Sequence, residues 1–148
     1  DEGFLKITDR KKEMFKTSGG KYVAPALIEN RFKQSRFIEQ IMVIGEGEKM
    51  PAALIQLNFE FVEEWAKRHD LSFNSKNDII INDKLITRIQ EEINEANTHF
   101  GKWEQIKVFK LTPDEWSIDG GHLTPTMKMQ RAIIMKIYKN LYDEIYGA

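Results

Sequence analysis

Cysteine is absent from the 148 residues, which rules out a disulfide scaffold and any thiolate nucleophile or metal ligand. Histidine is scarce. His69, His99 and His122 share no ligand spacing, which argues against a structural zinc site. No apolar run is long enough to span a bilayer, and no signal-peptide pattern is present. A cytoplasmic setting is therefore expected, with membrane contact only through the rest of a longer protein. Neither sign of charge dominates, since 22 basic residues stand against 23 acidic ones. That speaks against a dedicated nucleic-acid binder, although a local basic cluster survives a neutral total. Internal repeats and low-complexity tracts are missing as well.

What is present is a core. Apolar residues make up 41% of the chain, enough for one domain with a substantial interior. The first residue is Asp1 rather than methionine, and "DEGFLKI" reads as a turn followed by a strand, which fits a piece of something larger and equally a processed product. Alternation predicts strands at 4–8, 37–45, 52–57 and 103–111, the middle two forming a hairpin across "GEGEKMP". A turn is expected at "TSGG" (17–20). Pro25 is placed to open a helix with Leu27, Ile28 and Phe32 on one face. Further helices are expected at 59–70, with Phe61, Val62, Trp65 and Ala66 inward, and at 79–99 along Leu85, Ile86, Ile89, Ile93 and Ala96. "NSKND" (74–78) breaks the chain between them, and residues 112–126 read mostly as turn. A last helix at 128–146 would bury Ile133, Ile134, Ile137, Leu141 and Ile145. The order gives an α+β domain, a small mixed sheet with packed helices.

Two basic segments draw attention. Arg10, Lys11, Lys12, Lys16 and Lys21 surround Gly19 and Gly20, with Lys6 just upstream. Arginine can fork across two oxygens of a phosphate or a ribose diol, lysine adds a mobile point charge, and glycine lets a ligand approach the backbone. The segment is not a P-loop, because the Lys-Ser/Thr ending is missing. A solvated charged face beside a turn would look the same. The second segment is "LTPTMKMQR", where Lys128 precedes a helix and Arg131 lies one turn on. A helix start prefers an anion, so a lysine there makes sense if an anionic ligand is shared between them. A flexible surface lysine after a proline turn is the alternative. Trp65, Trp103 and Trp116 read as core or interface anchors. The adjacent pairs Glu63–Glu64 and Glu91–Glu92 point apart on a helix and make no acid–base site. The serines lack a nucleophile context.

"TDRKKEMFKTSGGKYVAPALIE" resembles the segment at the junction of the two domains in adenylate-forming enzymes, in particular long-chain fatty acid–CoA ligases. "LTPTMKMQR" is similar to their C-terminal catalytic-lysine motif. The resemblance covers essentially the whole chain, residues 1–148, as the small C-terminal domain of such a ligase. The large N-terminal adenylate-binding domain would be a separate part of the same polypeptide.

The resemblance implies a two-step reaction. A fatty acid and ATP give an acyl-adenylate and pyrophosphate, and coenzyme A then displaces AMP to give the thioester. The domain would rotate between steps. Arg10 would hold the ribose hydroxyls, Lys12 would be the hinge, and Lys128 would be catalytic in the first step. Ser18, Gly19 and Gly20 would line the pantetheine tunnel in the second, with Lys21 and Tyr22 continuing that surface. Glu29 would be structural. ATP, coenzyme A and Mg²⁺ are the implied cofactors, with the metal held mainly outside this domain. The N-terminal domain and a fatty acid are the implied partners, and nucleic acid is not. Alone, the domain would be inactive. The family usually carries glycine just before the catalytic lysine, where this chain has Met127, as in the long-chain branch. Two other readings stay open: a docking module without catalysis, and the same domain of an aryl or short-chain acyl ligase.

Overall fold

The computed structural model describes residues 14–147. Its frame is a three-stranded sheet whose middle strand is buried on both faces. β3 (Ile38–Ile44) and β4 (Ala52–Leu57) pair antiparallel, from Ile38 opposite Leu57 to Ile44 opposite Ala52. β5 (Val108–Thr112) lies parallel to β4 on the other side, so the sheet is mixed. All six residues of β4 are buried, which explains its continuous apolar run. Gln56 is the exception in type, and its amide is satisfied: Nε2 donates to the Leu57 carbonyl at 2.9 Å and Oε1 accepts from the Trp116 amide at 3.0 Å. A separate two-stranded ribbon, β1 (Phe15–Lys16) with β2 (Tyr22–Val23), encloses the first glycine loop.

Period-two alternation sends the sheet's side chains to two cores. Ile41, Val43, Ala53, Ile55 and Leu57 meet α1 (Pro25–Phe32), α2 (Phe59–Arg68) and α4 (Asp83–Asn97). Met42, Ile44, Ala52 and Leu54 pack against Trp116, Ile134 and Tyr138 on the opposite face. The parallel β4–β5 step requires a long crossover, which α2, the one-turn α3 (Lys76–Ile80) and α4 supply. Each of these helices opens on a capping side chain: Asn58 accepts from Phe61 N–H, Ser75 from Asp78 N–H and Asn82 from Leu85 N–H. α1 has no side-chain cap but starts on Pro25, whose missing N–H needs none. No helix among the described residues is long and apolar enough to cross a membrane.

Several expectations need correction. The expected helix 79–99 is two helices, because Ser75 starts a turn at 76 and Asn82 caps a new helix at 83. The strand expected at 103–111 begins only at Val108; Lys102–Glu104 is a 3-10 turn after Gly101. Leu27 faces solvent, since the buried side of α1 is made by Pro25, Ile28, Glu29 and Phe32. The helix expected at 128–146 is α5 (Arg131–Ile137) followed by α6 (Lys139–Tyr146). They divide at Tyr138, whose backbone leaves the helical region (φ −109°, ψ 29°) while its ring enters the second core. Ile133 and Ile137 face outward, leaving Ile134 as the buried residue of α5. The strand expected at 4–8 lies outside the described residues.

Candidate functional site: two loops on one frame

The first loop is built by Thr17. Its N–H donates to the Lys21 carbonyl at 2.9 Å, and its hydroxyl accepts from the Lys21 N–H at 3.3 Å. Gly20 closes the turn at φ +83°, a conformation open to glycine at no steric cost. Ser18 N–H donates to the Glu48 carbonyl at 2.8 Å and Gly47 N–H to the Lys16 carbonyl at 2.9 Å. The loop is thus stitched to the β3–β4 turn. Thr17 is buried, whereas Ser18, Gly19, Gly20, Lys21 and Tyr22 are all exposed. The Lys21 ammonium sits 5.4 Å from the ring centre of exposed Trp103, and that of Lys16 sits 5.7 Å from Tyr22. This aromatic and cationic rim was not apparent from the sequence, because Trp103 is separated from the loop by most of the crossover. Arg10 and Lys12 lie outside the described residues.

The β3–β4 turn is held from its other side by α6. Tyr142 donates to the Glu48 carboxylate, and Tyr146 donates to the Met50 carbonyl at 2.8 Å. Burial and the nearby Glu48 carboxylate push the Tyr142 phenol up to about 12.

The second loop is a three-residue hairpin. Thr124 N–H donates to the Lys128 carbonyl at 2.8 Å, Lys128 N–H returns to the Thr124 hydroxyl at 3.1 Å, and Leu123 bridges Met129. Pro125 takes the second turn position and Met127 N–H closes onto the Thr124 carbonyl at 2.8 Å. Met127 then occupies the left-handed region at φ +66°. A turn followed by one left-handed residue is the usual three-residue hairpin, and glycine is its ordinary occupant there. Methionine accepts the strain and keeps its side chain in solvent. Lys128 stands at this bulge, exposed, and its ammonium makes no hydrogen bond or ion pair among the described residues.

Arg131, one turn on from Lys128, is engaged with a carboxylate of another helix. It opens α5 and reaches back to Glu29 on α1, with two guanidinium N–H groups on the two carboxylate oxygens at 2.7 Å each. Glu29 is only 4% exposed and also accepts from the Val43 N–H at 2.8 Å. A bidentate pair of this kind fixes orientation as well as distance. It ties the helix that follows the glycine loop to the helix that follows Lys128. A groove of about 660 Å³ runs past this pair, lined by Met14, Phe15, Met42, Met129, Arg131 and Met135 among others. Neither Lys128 nor residues 18–22 line it. Among the described residues no group of three or more carboxylates or histidines could hold a metal ion.

Residues 13–148 match the family described as the AMP-binding enzyme C-terminal domain. The chain belongs to that family. A long-chain-fatty-acid–CoA ligase of Mycobacterium tuberculosis is 35% identical over 148 residues, which cover 99% of this chain and 25% of that protein. Long-chain-fatty-acid–CoA ligase 1 of Homo sapiens is 35% identical over 148 residues, 98% of this chain and 21% of that protein. The chain thus spans about a quarter or less of these curated relatives. Among solved structures, the adenylation domain of a carboxylate reductase from Mycobacterium chelonae superposes with a TM-score of 0.75 at 20% identity. That match covers 94% of this chain and 20% of the other. The equivalent domain from Segniliparus rugosus, in complex with AMP and a carboxylic acid, gives 0.74 at 18% identity, covering 93% of this chain and 20% of that one. These likenesses establish the fold of the AMP-binding enzyme C-terminal domain for this chain.

Proposed function

We propose that this domain serves a long-chain fatty acid–CoA ligase, working with a large adenylate-binding domain of the same polypeptide. The observation that carries the reading is the exposed Lys128 ammonium, without a partner among the described residues and presented on a strained hairpin whose base is fixed by the Arg131–Glu29 pair. In the first step Lys128 would meet the carboxylate and α-phosphate oxygens as negative charge develops, and a preorganised cation is most effective there. Arg10 would hold the ribose hydroxyls, and Lys12 would absorb the rotation that replaces one loop by the other. In the second step Ser18, Gly19 and Gly20 would line the path of the pantetheine arm. Lys21 and Tyr22, with Trp103, would offer cation and aromatic faces to the nucleotide end of coenzyme A. The described residues hold no group of three or more potential metal ligands, and any Mg²⁺ that accompanies ATP would be held mainly outside this domain.

The test is the pair of half-reactions in the full ligase with palmitate, wild type against Lys128→Ala. Adenylate formation should fall by orders of magnitude, while thioester formation from supplied acyl-adenylate stays near the wild-type rate. An equal loss in both halves would remove Lys128 from the first step. A wild type inactive in both halves with every acyl acid would leave the fold without this activity.

A further inference from the structure

His122 takes no part in either loop's proposed chemistry, yet it is 5% exposed and fully engaged. Its ring lies parallel to Trp116, 6.0 Å between centres at 1°, and 5.9 Å from Tyr138 at 26°. Three hydrogen bonds define its tautomer. Ser117 N–H donates to Nδ1 at 3.2 Å, so that nitrogen carries no proton. The Tyr138 hydroxyl donates to Asp114 Oδ2 at 3.1 Å, which leaves the phenol oxygen to accept from Nε2–H, also at 3.1 Å. The neutral Nε2–H form therefore satisfies every partner. An imidazolium would set a second N–H against that of Ser117.

The backbone of the same residue is the foot of the Lys128 hairpin. His122 N–H donates to the Ser117 carbonyl at 3.0 Å, and its own carbonyl accepts from Gln130 N–H at 2.8 Å, beside the Leu123–Met129 bridge. The Gly120 backbone is pressed so closely to the ring that a Cβ there would come within 2.8 Å of it. Ring and hairpin foot cannot move separately. Building on the reading of Lys128 above, we propose that neutral His122 is a positioning residue for the first step: it holds the foot of the Lys128 hairpin through Ser117 and Gln130, and its protonation releases that grip.

The titratable groups facing the ring are Asp114 from the loop after β5 and Tyr138 from the α5–α6 junction. Burial outweighs the attraction of Asp114 and the bond to Ser117, and holds the imidazole below its ordinary range. A group depressed in this way favours the fold while neutral. The grip is thus complete above about pH 6.5, the ordinary histidine value, and is lost as pH falls through the lower folded value.

The first arm of the test uses this chain alone. The imidazole nitrogens and the amides of Ser117, Thr124, Lys128 and Gln130 are followed by NMR from about pH 8 to pH 5, across the histidine range. The four amides should shift with the midpoint of the ring. His122→Asn, whose side-chain oxygen can accept from Ser117, should keep them protected and abolish the pH step. His122→Phe keeps an aromatic ring but no acceptor, and should quicken hydrogen exchange at Thr124 and Gln130 by roughly fivefold, the size of one net hydrogen bond. Amides that ignore the ring titration, or wild-type exchange in the Phe variant, would overturn the proposal. The second arm uses the full ligase. Adenylate formation should decline on the acid side in the wild type but not relative to the Asn variant's own neutral-pH rate, and thioester formation should show no such difference. An acid-side loss shared equally by both halves would overturn positioning. A ligase without any adenylate formation would refute the functional reading, while the NMR arm still decides whether His122 holds the hairpin.

Discussion

Arg131→Met separates the link between the two loops from everything around it. The substitution keeps an apolar stem of similar length and removes the fork. Glu29 then loses two charged donors at 2.7 Å and retains the Val43 N–H at 2.8 Å. At 4% exposure its carboxylate has little access to replacement water. Stripping one partner from a fully buried pair costs about 3–5 kcal/mol. The Arg131 side chain is 40% exposed, however, so solvent already screens part of the attraction. About 2–3 kcal/mol is the expected loss. With a urea slope near 2 kcal/mol per molar, the midpoint should fall by about 1–1.5 M. Arg131→Lys keeps the charge without the planar fork and should lose roughly half as much. A double-mutant cycle with Glu29→Gln isolates the pair from whatever else either residue touches, and its coupling should exceed about 1 kcal/mol. Additive single effects, or an Arg131→Met midpoint indistinguishable from wild type, would refute the account of this pair as the tie between the loops.

Substitution at Met127 should show the hairpin strain by its sign. Met127→Gly relieves a left-handed side chain and should raise stability by about 0.5 kcal/mol, after the extra chain entropy of glycine, whereas β-branched Met127→Val should lower it by about 1–2 kcal/mol. Matching thermal shifts for the two would refute the strain. Gly19→Leu should leave the fold intact, because a Cβ there meets nothing closer than the Thr17 hydroxyl at 4.0 Å. In the full-length enzyme, if it is the CoA ligase proposed above, the substitution should selectively slow thioester formation, and normal thioester rates would place the proposed pantetheine path elsewhere. Tyr138, Tyr142 and Tyr146 are all pushed upward by burial. A phenol raised in the fold stabilises it while protonated, so stability should hold below about pH 10 and fall as pH climbs toward 12. Phenolate absorbance recorded during alkaline unfolding checks this, and free ionisation near 10 without loss of structure would contradict it.

The β3–β4 hairpin was legible because two apolar runs flank a glycine-rich turn, and α2 and α4 because their apolar residues repeat at helical spacing. The break at Tyr138 was not. Residues 128–146 carry apolar positions that suit one helix, and only the pull of the ring toward Trp116 and His122 divides it. The start of β5 at Val108 rather than Trp103 was not legible either, since apolar residues run through 103–111 and the parallel register on β4 decides. For the candidate site, Lys128 and residues 18–22 are proposed from motif resemblance, and their exposure is a property of the folded chain. Arg131 was read as a neighbour of Lys128 on one helix face. Its partner lies 102 residues away, a distance over which no periodicity operates.

The clasp of α6 on the β3–β4 turn also has a consequence for the order in which the domain can be completed during synthesis. Ser18 is fastened to Glu48, and Glu48 to Tyr142. The residues that steady the glycine loop therefore include some that are synthesised 94 and 96 positions after the turn they hold. Contacts that distant in sequence form late, because the loop between them must first be closed. A nascent chain stopped before Tyr142 would already carry the whole "TSGGKY" segment, but without the distant brace that holds it in place.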